Sequence, residues 1–443
     1  MGGVREAFDA IQEDHTLRRG TGFAAASGGA LLVLSVLTVT PAAAATETIT
    51  CGETITHSVT AANDIGPCVG TNGLNVTASG ITLDLNGHTI TGATTTNNSA
   101  NEYVGVYLDR VSGVTVENGT VTGFDAGVVD DHGSDNTITK MTAQGNINHS
   151  SLTGAENVCD YGDGIVVDGA SGDHVTNNHT MNNGPFSGIA LIETANHNTV
   201  DGNYSVDNNV ANILPNGQNG PCGPFGEGGT VGRPYQDIGI RVEGPGATNN
   251  TVSHNVVQNN MLNGISLHGY VCHPPNGAPP QPNNTGNTIT SNSVSSNGFG
   301  DPTDPQDGIA ILIQGPTTIV CPATNNTIVN NTSSGNARYG IYGGGRDTHD
   351  NNISYNVVTG NTLDGIHLDG PTGAPACGPG TRVSPCPGAI GNTLIGNVGS
   401  GNSRFDGFDG NPNCDNNTWQ GNRFTTVNQA CVAAGGTGSV TTP

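Results

Sequence analysis

The apolar residues of this chain fall in short alternating runs separated by asparagine and glycine. In the stretch from Asn249 to His268, Asn-Asn-Thr-Val opens a unit, Asn255 and Asn259-Asn260 punctuate it, and Gly264-Ile265-Ser266-Leu267 closes it. The phrase returns at Asn326-Thr327-Ile328 with Gly340-Ile341, and at Asn352-Ile353 with Gly365-Ile366-His367-Leu368. Alternation in steps of two predicts strands with one buried face. Recurrence of the unit predicts a solenoid, in which each coil buries its apolar face only against its neighbours.

Gly followed by an apolar residue marks each coil, from Gly105-Val106 and Gly127-Val128 to Gly365-Ile366 and Gly407-Phe408. Uninterrupted coils run for roughly 22 to 25 residues, room for three short strands and three turns. Longer steps carry inserts. One set precedes the Gly-apolar strand, from Ile147 to Asp163, Ala211 to Asp237 and Gly298 to Asp307. Another follows it, from Tyr270 to Thr285, Pro316 to Thr324 and Pro371 to Ile390. Inserts at equivalent points stack on one side of a solenoid and can wall a groove.

Composition agrees with this architecture. Aromatic residues make up 4% and charged residues 11%, while Gly numbers 68. Such a chain cannot build an aromatic-rich helical core, and a disordered chain would lack the regularly spaced Ile, Val and Leu. The asparagines are expected to form hydrogen-bonded ladders between stacked turns. The formal charge of −24, with Lys140 as the one lysine beyond the targeting segment, excludes nucleic acid and anionic membrane surfaces as partners.

The region 1–45 reads as a signal peptide: Arg18-Arg19 precede the apolar run from Leu31 to Leu37, and Ala43-Ala44-Ala45 offer a cleavage site. That run is too short for a permanent membrane span, so a secreted, extracellular protein with no membrane insertion after processing is expected. Ten cysteines in an exported chain imply disulfides. Nearest-neighbour pairing gives Cys51 with Cys68, Cys159 with Cys222, Cys272 with Cys321, Cys377 with Cys386, and Cys414 with Cys431. The region 46–443 is then a single solenoid domain, with 46–92 as cap and first coil and 407–443 as final coil and tail. A monomer is expected.

The Asn-Asn-Thr-Ile/Val and Gly-Ile-x-Leu repeats resemble those of the pectate-lyase-like superfamily of right-handed parallel β-helix proteins, over about Thr46 to Val432. The resemblance implies an all-β, single-stranded right-handed parallel β-helix of about ten or eleven coils with loop inserts. Polysaccharide lyases, polygalacturonases, alginate epimerases and a copper-delivery protein share that fold. Asp130-Asp131-His132-Gly133 and Leu267-His268-Gly269 only approach the polygalacturonase elements, so catalytic residues do not transfer directly.

The outward face of the Gly-Ile strands is the informative surface. With Ile265 and Leu267 inward, Ser266 and His268 face out. The same register exposes Tyr107 and Asp109, Val129 and Asp131, and Val166 and Asp168. Beyond the coil of Ala190 and Ile192 it exposes Arg241 and Glu243, then Tyr342, His367 and Asp369. Coils about 4.8 Å apart bring Asp109, Asp131 and Asp168 together. Crowded carboxyls repel, which raises the pKa of at least one unless a cation intervenes.

Paired carboxyls suit glycoside hydrolysis, at about 5 Å for retention and roughly 6.5 to 9.5 Å for inversion. Lyase or epimerase chemistry on uronates needs cations that this chain scarcely supplies. The leading expectation is a carbohydrate-active protein acting on a polysaccharide as a hydrolase or lyase. Asp131, Asp168, Glu243 and His268 are its catalytic candidates; Tyr107, Asp109, Arg241, Tyr342, His367 and Asp369 are its substrate-binding candidates. A non-catalytic glycan-binding or surface solenoid is the alternative, and copper handling through His254, His268, His349 and His367 a third. No metal ligand set is assigned; calcium is the cofactor an acidic face would take. The column Asp163, Asp237, Asp307, Asp364 and Asp406 before the strands is expected to bond turn backbone.

Overall fold

The computed structural model describes residues 44–97, 99–154, 159–222, 237–244, 246–268, 284–301, 306–312, 323–344, 348–371 and 388–442. The expected signal peptide up to residue 43, Cys272, Cys321, Cys377 and Cys386 lie outside them, as does the side chain of His268. No helix of the described residues is long and apolar enough to cross a membrane.

The strands stack in parallel register, coil upon coil, into three long faces. The Gly-Ile face takes one strand from each coil, beginning with Glu53–Ile55 and Leu74–Val76. Val104–Asp109, Ala126–Asp131, Asp163–Asp168, Ser187–Ile192 and Ile238–Glu243 follow. The face then runs through Ile265–His268, Ile309–Leu312, Ile341–Gly343 and Ile366–Leu368 to Gly407–Asp409. The second and third faces carry the Asn-Thr-Val strand and the strand after it; Thr251–Ser253 and Val256–Gln258 are one coil's pair. Two coils are complete within Glu53–Gly92.

The inward column of the Gly-Ile face is apolar and closed to water. Val106, Val128, Ile165, Ile189, Ile240 and Ile265 pair in sequence across adjacent strands and have no exposed surface. Truncating one of them to alanine is expected to cost about 2–5 kcal/mol, because a stacked core cannot collapse around the gap. The glycine before each has a steric cause: a Cβ on Gly127 would stand 2.4 Å from the Gly164 carbonyl oxygen, and one on Gly164 2.6 Å from that of Gly188.

The doubled asparagines divide their labour. Asn177, Asn182, Asn249, Asn259, Asn325 and Asn330 take positive φ at the turns, a conformation asparagine tolerates better than most residues. The second asparagine of each pair is buried and builds the ladder. Asn203 donates its backbone N–H and its amide to Asn255 Oδ1, and its amide also to the Val175 carbonyl; Asn255 repeats the pattern to Asn292, and Asn292 to Asn331. The expected ladders thus satisfy the corner backbone, coil by coil. One rung differs: Asp173 stands where the register places an asparagine, accepting from the Asn136 backbone N–H and donating its own to Asn198 Oδ1.

Three disulfides close within the described residues, Cys51–Cys68, Cys159–Cys222 and Cys414–Cys431. They match nearest-neighbour pairing. Cys159–Cys222 ties two inserts together beside the Gly-Ile face, and the other two brace the ends.

Candidate active site

On the outer Gly-Ile face, Tyr107, Val129, Val166, Ala190, Arg241 and Ser266 pair in one column. Asp109, Asp131, Asp168 and Ile192 form the next column, and Glu243 pairs with His268 further along. Farther still, Tyr342 pairs with His367 and His367 with Phe408. The candidate residues therefore fall into three groups.

The first group surrounds Asp131 and Asp168. Asp131 accepts a hydrogen bond from the Tyr107 hydroxyl, and its Oδ1 lies 2.5 Å from His132 Nδ1. Burial alone would raise the Asp131 pKa, but Tyr107 and His132 outweigh it and hold the carboxyl below its ordinary value. Asp168, on the adjacent strand, has no such donor, and its Oδ1 is buried without a hydrogen-bond partner. Burial first, and the nearby Glu193 carboxylate second, push it up to about 7. Asp109 is half-exposed beside Arg110, 3.8 Å away.

Inserts press on this group from one side. Tyr161 packs on the small apolar patch of Val129, Val166 and Ala190, and burial together with Asp168 raises its phenol. The Glu102 carboxyl accepts from the Asn148 amide and from the backbone N–H groups of Asp160 and Tyr161. Burial and the charges of Asp125 and Asp160 raise it to about 8. Asn148 begins a short helix, His149–Thr153. The buried His149 ring is held between Asp125, at 2.6 Å, and the Ser99 carbonyl. Sequence reasoning missed Glu193, Tyr161, Asp160 and Glu102; they sit in turns and inserts without a period, and the equivalent placing of inserts was the one signal toward them.

The second group is Arg241, Glu243 and Asp163. Arg241 Nη1 lies 2.7 Å from Glu243 Oε2 and Nη2 3.3 Å from Asp163 Oδ1, with its guanidinium over the Phe186 ring. This places Arg241 and Glu243 in one ion-paired cluster, several coils from His367.

The third group holds Tyr342, His367 and Asp369. His367 Nδ1 lies 2.7 Å from Asp364 and Nε2 3.2 Å from Asp369, while the Tyr342 hydroxyl donates to Asp369 at 2.6 Å. The ring stacks between Tyr339, at 4.1 Å, and Phe408, at 4.4 Å. Burial disfavours the imidazolium, but its two carboxylate partners reverse that and raise the pKa. Arg404 also pairs with Asp364.

The acidic column before the strands is wholly buried. Asp307 accepts from the Tyr339 N–H, Asp364 from that of Phe405, and Asp406 from those of Thr425 and Thr426, as a turn role requires. Asp163 is bound instead by the Ser187 hydroxyl and Arg241. Of the histidines weighed for copper, His254 is bonded to Asp201 and His349 to Asp350, apart from His367. Among the described residues no three His, Cys, Asp or Glu side chains gather to hold a metal ion.

Known proteins share this fold. A family model described as "right handed beta helix region" matches residues 72–275. The described residues fold as a right-handed parallel β-helix. No curated protein matches its sequence. Among solved structures, this β-helix is similar to the catalytic domain of a GH87 alpha-1,3-glucanase in complex with tetrasaccharides, at 14% identity and a TM-score of 0.52. The same glucanase with nigerose gives 14% and 0.50. In both, 80% of this chain is covered but only 60% of the glucanase domain. A mannuronan C-5 epimerase A-module from Azotobacter vinelandii follows at 14% identity and 0.46, with 89% of this chain and 90% of the module covered. At these identities the likeness concerns the fold.

Proposed function

We propose that this β-helix protein is a secreted carbohydrate-active enzyme that hydrolyses a polysaccharide on the outer Gly-Ile face. Asp168 is the general acid and Asp131 the ionised carboxylate. The observation that carries this reading is the pair itself: two carboxyls on adjacent, in-register strands whose surroundings push their proton affinities in opposite directions. Asp168 still holds a proton near neutrality and can protonate a leaving oxygen. Asp131, kept charged by Tyr107 and His132, can stabilise or attack the anomeric carbon. Strands about 4.8 Å apart suit direct attack, hence retention of configuration.

The glucanase neighbour supports a glycan as partner, by analogy of fold. Disulfides closing in the predicted pairs support an extracellular setting. Arg241 and Glu243, already paired with each other and Asp163, and the third group serve as flanking positions along the bound chain.

The test follows reducing ends and unsaturated-sugar absorbance together, with the mature protein on neutral and uronic polysaccharides. Reducing ends without absorbance, lost as pH rises through about 7 when Asp168 gives up its proton, support hydrolysis. Both signals together would assign a lyase. Silence across the panel with binding retained would leave a glycan-binding solenoid.

A further inference from the structure

His132 belongs to the working pair without being part of the strand pattern. It lies at the turn after Ala126–Asp131 with a φ of 55°, a left-handed conformation that costs a non-glycine residue about 1 kcal/mol or more. Its backbone N–H donates to the Asp168 carbonyl at 2.7 Å, so the turn is fastened to the next coil at the residue whose side chain carries the proton. Its Nδ1 lies 2.5 Å from Asp131 Oδ1.

The rest of the ring lies against Gly169. A Cβ there would stand 2.9 Å from Nε2 and 3.0 Å from Cδ2, and Gly169 itself has a φ of 59°. The imidazole is thus seated between Asp131 and the backbone following Asp168, in a place that exists because residue 169 has no side chain. The charged groups facing it are Asp131 on its own coil, Asp168 on the next and Glu193 on the one after, with Arg110 beyond Asp131. Three carboxyls around one imidazole favour its cationic form.

We infer that His132 is a positioning residue: as an imidazolium it fixes Asp131 as the ionised member of the pair, while burial leaves the proton on Asp168. The inference rests on the reading of Asp131 and Asp168 as the working carboxyls. It goes further in giving the division of labour a cause outside the two acids. The alternative is a turn residue that any side chain tolerant of positive φ could replace.

Two variants separate these roles. His132→Asn keeps a residue at ease in the turn but removes the cation; Gly169→Ala keeps the histidine but takes away its seat. In each, both limbs of the kcat/KM pH profile are expected to move to higher pH, by about one unit for His132→Asn, since Asp131 and Asp168 both lose a stabilising positive charge. A profile whose limbs stay in place in both variants, whatever happens to its height, overturns the proposal.

A titration independent of turnover completes the test. The His132 ring, followed by NMR in the intact protein, is expected to titrate above the ordinary value of about 6.5 and to fall back in Asp131→Asn. That result on a protein inactive against every polysaccharide would reject the hydrolase reading while keeping the coupling. A midpoint unmoved by Asp131→Asn would reject the coupling itself.

Discussion

The two ends of one sheet treat their carboxyls in opposite ways. At the N-terminal end, Asp168 is buried near Glu193 and Asp131 with an unpaired oxygen. At the C-terminal end, Asp364 is taken by His367 and Arg404, and Asp369 by His367 and Tyr342. Burial among like charges makes an acid that can release its proton near neutrality; burial among opposite charges makes a strut. The same fold, side chain and face thus yield a proton-holding acid in one place and a strut in another, and the partners decide which.

The largest expected effect breaks the first half of that comparison. Asp168→Asn should lower turnover by about 10²- to 10⁴-fold, the usual share of a general acid, while the melting temperature holds. Asp369→Asn should keep turnover within about tenfold, and an equal loss in both would erase the distinction. The second half is tested by Asp364→Asn. With His367 and Arg404 left beside a neutral amide, unfolding free energy should fall by about 3–5 kcal/mol, measured by denaturant titration.

A smaller loss tests the framework common to both ends. Asn255→Ala removes the acceptor of the Asn203 backbone N–H and the donor to the Val200 carbonyl. Unfolding should cost about 2–4 kcal/mol less, because buried partners are left unpaired.

The smallest effect concerns the irregular rung. Asn136 bridges Asp173 and Asp130 at 2.7 Å to each, and each carboxyl keeps one unpaired oxygen. Burial raises both, Asp130 to about 6 with the nearby charge of Asp131 and Asp173 to about 8 with that of Asp130. Folded-state pKa values above those of the unfolded chain give stability that is complete below about pH 4 and is lost as pH rises through about 6 to 8. Asp173→Asn restores an amide to the ladder and should flatten that slope, seen as a gain in melting temperature confined to the alkaline side.

Much of this was legible in the chain itself. Alternation around Ile265 and Leu267 gave the outward register that the strand pairs reproduce at Tyr107, Asp131, Asp168 and Arg241. The doubled asparagines announced the ladders, and neighbouring cysteines the three disulfides that close within the described residues. Local spacing carries these features because stacking repeats it. The surroundings of Asp168 were not legible, for Glu193, Tyr161 and Asp160 reach it from turns and inserts whose paths no period encodes. Nor does spacing show that Arg241 would be spent on Asp163 and Glu243, since that depends on which side chains reach across coils.

The asparagine ladders also bear on how such a chain can change its length. Every rung offers its neighbour the same backbone groups at the same corner, so a coil copied in tandem would find its hydrogen-bond partners already in place. Growth by duplication would extend the sheet by about 4.8 Å at a time. The length of the outer face is therefore a quantity that inheritance can adjust in whole steps, with the pair Asp131 and Asp168 left untouched.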